Sequence, residues 1–159
     1  MSQLLRQHAE QLFAHELEEL KKQDNDKRPG NWMLSPQSVV TYLVGGKLKN
    51  GFEVSPKYIG NRRLIEIAVA TLTTDRALLL YGLPGTAKSW VSEHLAAGVS
   101  GDSTLIIQGT AGTSEESVRY GWNYARLIAE GPSAGALVET PVMRAMKDGK
   151  IVRLEELTR

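Results

Sequence analysis

Eight residues, Gly82-Leu83-Pro84-Gly85-Thr86-Ala87-Lys88-Ser89, constrain this chain more than anything else in it. They follow an apolar run, Ala77-Leu78-Leu79-Leu80-Tyr81, and open an amphipathic stretch over 90–97. Strand, glycine loop, helix is the setting a phosphate-binding loop requires. Glycines let backbone N–H groups turn inward with no side chain in the way, which makes a nest for anions. The helix that follows offers its unpaired N–H groups and positive dipole end to the same phosphates. Lys88 can reach the β- and γ-phosphates, and Ser89 can supply an oxygen to Mg²⁺. Where the generic motif has Gly before Lys, this chain has Ala87. Alanine suits a helix entry but is strained at positive φ. The plain alternative is an ordinary strand–turn–helix with a chance Lys and Ser, and the order of elements argues against it.

The rest of the sequence bounds the problem. At 159 residues the chain is the size of one domain, with 42% apolar and 23% charged residues, ordinary values for a globular protein. A net charge of +1 gives no general attraction to nucleic acid or to an anionic membrane. No cysteine is present, which removes disulfides, thiolate metal sites and Cys nucleophiles and fits a cytoplasmic location. No run approaches the ~18 apolar residues of a membrane span, and no apolar signal core follows Met1.

Along the chain, Leu5, Leu12, Phe13, Leu17 and Leu20 recur at helical spacing over 3–22. A polar linker follows at 21–31. Ser35-Pro36 is a helix start, and Gly45-Gly46 ends that helix. Residues 52–54 suit a short strand. Residues 62–72 form a helix apolar nearly all round, hence expected to be buried. Strands are expected at 77–81, 103–108 and 151–154, with helices at 88–97, after the capping box Thr113-Ser114-Glu115-Glu116, and at 142–147 behind Thr140-Pro141. Residues 122–138 read equally as a β-hairpin or as helix–loop–helix.

The last of these strands runs into Glu155-Glu156, 66 and 67 residues after Ser89. Paired carboxylates at the C-terminal end of a strand are where open α/β sheets place chemistry. In a P-loop ATPase one such group holds Mg²⁺ through water and the next orients the attacking water. Two exposed glutamates beginning a helical turn are the bland alternative.

Taken together these stretches resemble the AAA+ ATPases, specifically the MoxR-like branch and its dynein-related relatives. Tyr58-Ile59-Gly60 is similar to the segment that wraps the adenine there. Residues 78–89 look like that branch's own P-loop, in which Ala before Lys is usual. Residues 135–150 resemble the approach to the Walker B strand, and 151–156 fall on that strand. The likeness covers 57–159, leaving 1–56 as an N-terminal helical segment and linker. It implies an α/β, three-layer αβα parallel sheet of the P-loop NTPase fold, AAA+ type. The implied nucleotide-binding set is Tyr58, Ile59, Gly60, Gly82, Leu83, Pro84, Gly85, Thr86, Ala87, Lys88, Ser89 and Trp90. Ser89 and, through water, Glu155 are the implied Mg²⁺ groups, and Glu156 the catalytic one.

Two departures stand out. The family has Asp then Glu after the Walker B strand; Glu155 is one methylene longer, so the metal's water shell would have to shift. The sequence also stops three residues past Glu156, short of the family's sensor strand, arginine finger and helical lid. The domain is thus expected to be truncated, its P-loop strand lacking both sheet neighbours, and the 159-residue chain alone inactive. In a complete protein the resemblance implies ATP hydrolysis coupled to remodelling of a partner. Such proteins form ring homo-oligomers, commonly hexamers, and often act on a protein with a von Willebrand A-type domain. The region of 122–138 is where the branch often inserts a hairpin facing the pore or substrate. A nucleotide switch without turnover is the second reading, and a small P-loop kinase the third. His8, His15 and His94 stand too far apart to suggest a metal site or a triad. Lys21-Lys22 and Lys27-Arg28 alternate with Asp24 and Asp26, a solvated linker rather than a nucleic-acid patch. Trp32, Trp90 and Trp122 suit core or interface better than stacking platforms.

Overall fold

Hydroxyl and amide caps set where most of the helices begin. Ser35 accepts the N–H of Ser38 and stands before Pro36, so a helix starts there; Asn61, Ser114, Asn123 and Thr140 likewise accept a first-turn N–H for later helices. In the computed structural model, which describes residues 6–156, the chain forms two compact units, Met1–Thr104 and Leu105–Arg159.

The first unit contains α1 (Ala9–Leu12), α2 (Ala14–Gln23), α3 (Pro36–Val44), β1 (Gly46–Lys47), β2 (Glu53–Val54), α4 (Arg62–Leu72) and α5 (Lys88–Ser100). Helix α5 is the centre. Val91, Leu95, Ala96, Ala97 and Val99 are buried along it, and α3 and α1 pack against it. Gly98 allows the approach of α3: a Cβ there would lie 3.2 Å from Tyr42 Cδ1. The buried carboxylate of Glu93 on α5 accepts the Ala9 N–H at 3.1 Å and the Arg6 guanidinium at 2.8 Å. A buried N–H that lost such an acceptor would cost about 1–3 kcal/mol, so this bond fixes α1 on α5. Glu10 adds a second tie, accepting the Ser103 hydroxyl at 2.6 Å.

The second unit contains β3 (Ile106–Gln108), α6 (Glu115–Val118), β4 (Gly121–Trp122), α7 (Tyr124–Glu130), a 3-10 turn (Ala134–Ala136), β5 (Leu137–Val138), α8 (Pro141–Asp148) and β6 (Arg153–Glu155). Strands β3 and β6 pair in parallel, Ile106 opposite Arg153 and Gln108 opposite Glu155. Parallel neighbours need a long crossover, and here it holds the intervening helices and the antiparallel pair β4–β5. Both readings of 122–138 are therefore present in part: a short strand pair encloses helix α7.

Three expectations need correction. The helix expected over 3–22 is broken at Phe13 (φ −114°, ψ 25°), which turns that ring edge-on to Tyr42 and His94; residues 3–5 lie outside the described residues. Helix α4 is not buried all round. Ile65, Ala68 and Val69 face the core, but Leu64 and Ile67 are exposed. Residues 77–81 enter no ladder among the described residues. Leu79 is 74% and Tyr81 93% exposed. A strand is a relation between neighbours rather than a local preference, and no described segment pairs with this one.

Candidate nucleotide site

The phosphate-loop segment is built by local conformation. Gly85 has φ 78° and Ala87 has φ 57°, ψ 27°, both left-handed. Ala87 is the N-cap of α5 and makes no side-chain cap bond, so the first-turn N–H groups receive no capping oxygen from it. The ammonium of Lys88 folds back on the loop, donating to Leu83 O at 2.7 Å and Gly82 O at 3.0 Å. The Thr86 hydroxyl donates to Leu83 O at 2.8 Å. Residues 82–87 and Ser89 are exposed. An incoming phosphate would compete with these carbonyls for Lys88, and an anionic oxygen attracts the ammonium more strongly than a neutral carbonyl does.

The left-handed Ala87 is a specific liability. Alanine there costs roughly 1–2 kcal/mol, and a β-branched residue costs more. Ala87→Gly is expected to keep nucleotide affinity within about twofold, whereas Ala87→Val should weaken it about tenfold, the equivalent of ~1.4 kcal/mol of added strain. Fluorescence titration with a labelled ATP checks this; equal affinity for both variants would mean that the φ of residue 87 does not matter.

The segment expected at the adenine is anchored from two sides. The Lys57 and Tyr58 N–H groups both donate to Leu43 O, at 2.8 and 2.9 Å. The Trp90 indole N–H, in the first turn of α5, donates to Lys57 O at 2.8 Å. Trp90 thus ties the P-loop helix to the backbone just before Tyr58, while Ile59 stays exposed. Lys57 itself went unnoticed in the sequence. Its side chain is 1% exposed, lies over the Phe13 and Tyr42 rings at 4.4 and 4.8 Å, and pairs with Glu16. Burial pushes its ammonium below the ordinary lysine value, and the bond to Glu16 opposes that shift. Burial pushes the Tyr42 phenol up.

The acidic pair ends β6. Glu155 is opposite Gln108, and its carbonyl accepts the Gly109 N–H at 2.7 Å. A Cβ on Gly109 would lie 2.8 Å from Glu156 O and 2.9 Å from Glu155 O. Glu156 is exposed with φ 58°, left-handed like Ala87. Arg153 and Glu155 stand on one face of the strand, two residues apart, and the guanidinium donates to Glu155 Oε1 at 2.9 Å. Sequence reading missed both Gly109 and Arg153. The i, i+2 alternation could have exposed the second; the first is a close approach between segments and leaves no local trace. Gly109→Ala is expected to destabilise the second unit by about 1–3 kcal/mol, the usual cost of overpacking. Amide exchange should quicken in peptides covering β3 and β6. Unchanged exchange there would show that the strand end yields without cost.

Among the described residues, no cluster of three or more His, Cys, Asp or Glu side chains is placed to hold a metal, and no helix is long and apolar enough to cross a membrane.

A glycine loop that opens a helix on left-handed residues and carries a loop-bound lysine, in a chain that also has a parallel strand ending in carboxylates, defines a P-loop nucleotide-binding protein. Residues 77–159 match the family described as AAA domain (dynein-related subfamily), and the chain belongs to that family, with the P-loop NTPase fold and the nucleotide-binding, AAA+ ATPase character that it carries. The protein described as uncharacterized protein YehL, from Escherichia coli (strain K12), is 47% identical over 148 residues, 93% of this chain and 40% of that protein. The chain thus spans two-fifths of the length of this curated relative. No solved structure matches it.

Proposed function

We propose that this chain is the ATP-binding, ATP-hydrolysing core of a MoxR-like remodelling protein. The observation that carries the reading is the loop 82–89: left-handed Gly85 and Ala87, a helix start without a side-chain cap, and a lysine held on neutral carbonyls. In this proposal Tyr58, Ile59 and Gly60 border the adenine, and the loop N–H groups with Lys88 bind the phosphates. Glu156 orients the attacking water. When bound, Mg²⁺ would neutralise phosphate charge. The exposed Ser89 suits it as an oxygen donor; Glu155 suits it poorly, because its carboxylate already pairs with Arg153. The ring homo-oligomer, commonly a hexamer, and a client or von Willebrand A-type partner complete the proposal for the whole protein.

A nucleotide switch without turnover is the second reading, favoured by the Arg153–Glu155 pair. Phosphate release from ATP by the full-length protein, with and without phosphoacceptors, separates the readings. Acceptor-independent release supports the ATPase, nucleotide binding without release supports the switch, and acceptor-dependent transfer would overturn both in favour of a kinase.

A further inference from the structure

Three helices meet at one residue, Lys57, where the segment at 58–60 begins. Its N–H, with that of Tyr58, donates to Leu43 O on α3. Its carbonyl accepts the Trp90 indole N–H from α5. Its ammonium has three N–H donors, and three acceptors meet them: the Glu16 carboxylate on α2, Ser55 O at 2.7 Å and Ser55 Oγ at 3.1 Å. The Ser55 hydroxyl in turn donates to Glu16 Oε1 at 2.6 Å. The Phe13 and Tyr42 rings flank the same ammonium. An ion pair enclosed like this is weak grounds for stability, because desolvation offsets the attraction and apolar isosteres often serve as well. What it does supply is direction, since each hydrogen bond has a preferred geometry. Beyond this fixed residue the chain turns outward. Ile59 is 93% exposed. A Cβ on Gly60 would lie 2.6 Å from Tyr58 Oη, so the Tyr58 side chain lies back along the segment itself.

Resting on the nucleotide-binding reading, we propose that Lys57 is a positioning residue for base recognition: held by Glu16 of α2, it fixes the start of the segment 58–60 beside the P-loop helix, ready for the base of a nucleoside triphosphate. All the groups involved belong to the first compact unit. A segment ordered in advance raises affinity, because the ligand does not have to impose that order itself. The triphosphate gains nothing from the same device, since its contacts are those of the loop at 82–89. Helix α2 lies outside the matched residues 77–159, yet through the Glu16–Lys57 pair it becomes part of the site. Lys57 acts through the backbone that follows it and touches no nucleotide.

The experiment is titration calorimetry of the full-length protein with ATP and, separately, with inorganic tripolyphosphate, which engages the phosphate loop but carries no base. Lys57→Met should weaken ATP about fivefold, the scale of one net hydrogen bond, and leave tripolyphosphate within about twofold of wild type. A general loss of structure would move both ligands together, and a thermal melt checks the fold of each variant. If the single variant does not fold, Glu16→Leu/Lys57→Met replaces the pair by apolar side chains, a change that buried ion pairs often tolerate, and the same split is expected. Unchanged affinity for both ligands, or an equal loss of both, would overturn the role of Lys57 while the nucleotide reading stands. So would a wild type that binds ATP no tighter than tripolyphosphate. A wild type that binds neither ligand would overturn the nucleotide reading together with it.

Discussion

Glu156→Gln in the complete protein is expected to cut ATP turnover by about a hundredfold or more while ATP still binds. Loss of a positioned general base typically costs a factor of about 10²–10⁴. Glutamine keeps the size of the side chain and its hydrogen-bonding end, so the left-handed backbone at φ 58° meets a similar residue. Binding should survive because the phosphate contacts belong to the loop at 82–89. The matching control is Glu155→Gln, which removes the partner of Arg153 and should alter the metal requirement more than the maximal rate. Steady-state phosphate release beside a binding titration makes the comparison. A normal rate in Glu156→Gln, with a dead Glu155→Gln, would mean the two roles are exchanged.

Lys88→Ala should weaken ATP affinity at least about tenfold, since a hydrogen bond to a charged group contributes roughly 1.5–3 kcal/mol. The substitution also removes the donor that rests on Gly82 O and Leu83 O. Those carbonyls are exposed and can turn to water, so the fold should change little. Titration calorimetry on the full-length protein, with a thermal melt to confirm folding, measures both effects. Equal affinity in variant and wild type would remove the basis for the nucleotide reading.

What the sequence made legible was local. The loop at 82–89 declares itself because its chemistry is carried by adjacent residues. The caps Ser35, Ser114 and Thr140 bond the N–H three residues on, a relation fixed by short-range geometry. Gly149 closes α8 in the left-handed region as its position after Asp148 suggests. What stayed hidden was non-local. Nothing near Lys57 announces that Glu16 and two aromatic rings will enclose its ammonium. Helix α4 reads as buried because its apolar residues nearly encircle it, yet which arc is covered depends on neighbours far along the chain. Residues 77–81 have the composition of a strand, and composition cannot provide a partner. For 122–138 the two patterns overlapped because a strand pair and a helix share the same stretch.

The exposed run ahead of the loop bears on mutational tolerance. Leu79, Tyr81 and Leu83 touch little in the first unit, so polar replacements there should be nearly silent in any survey scored by the folding of that unit. A survey scored by the working protein asks a different question of the same positions. Wherever the two scores diverge along 77–83, the difference identifies side chains whose constraint arises outside the packing of helices α1 to α5.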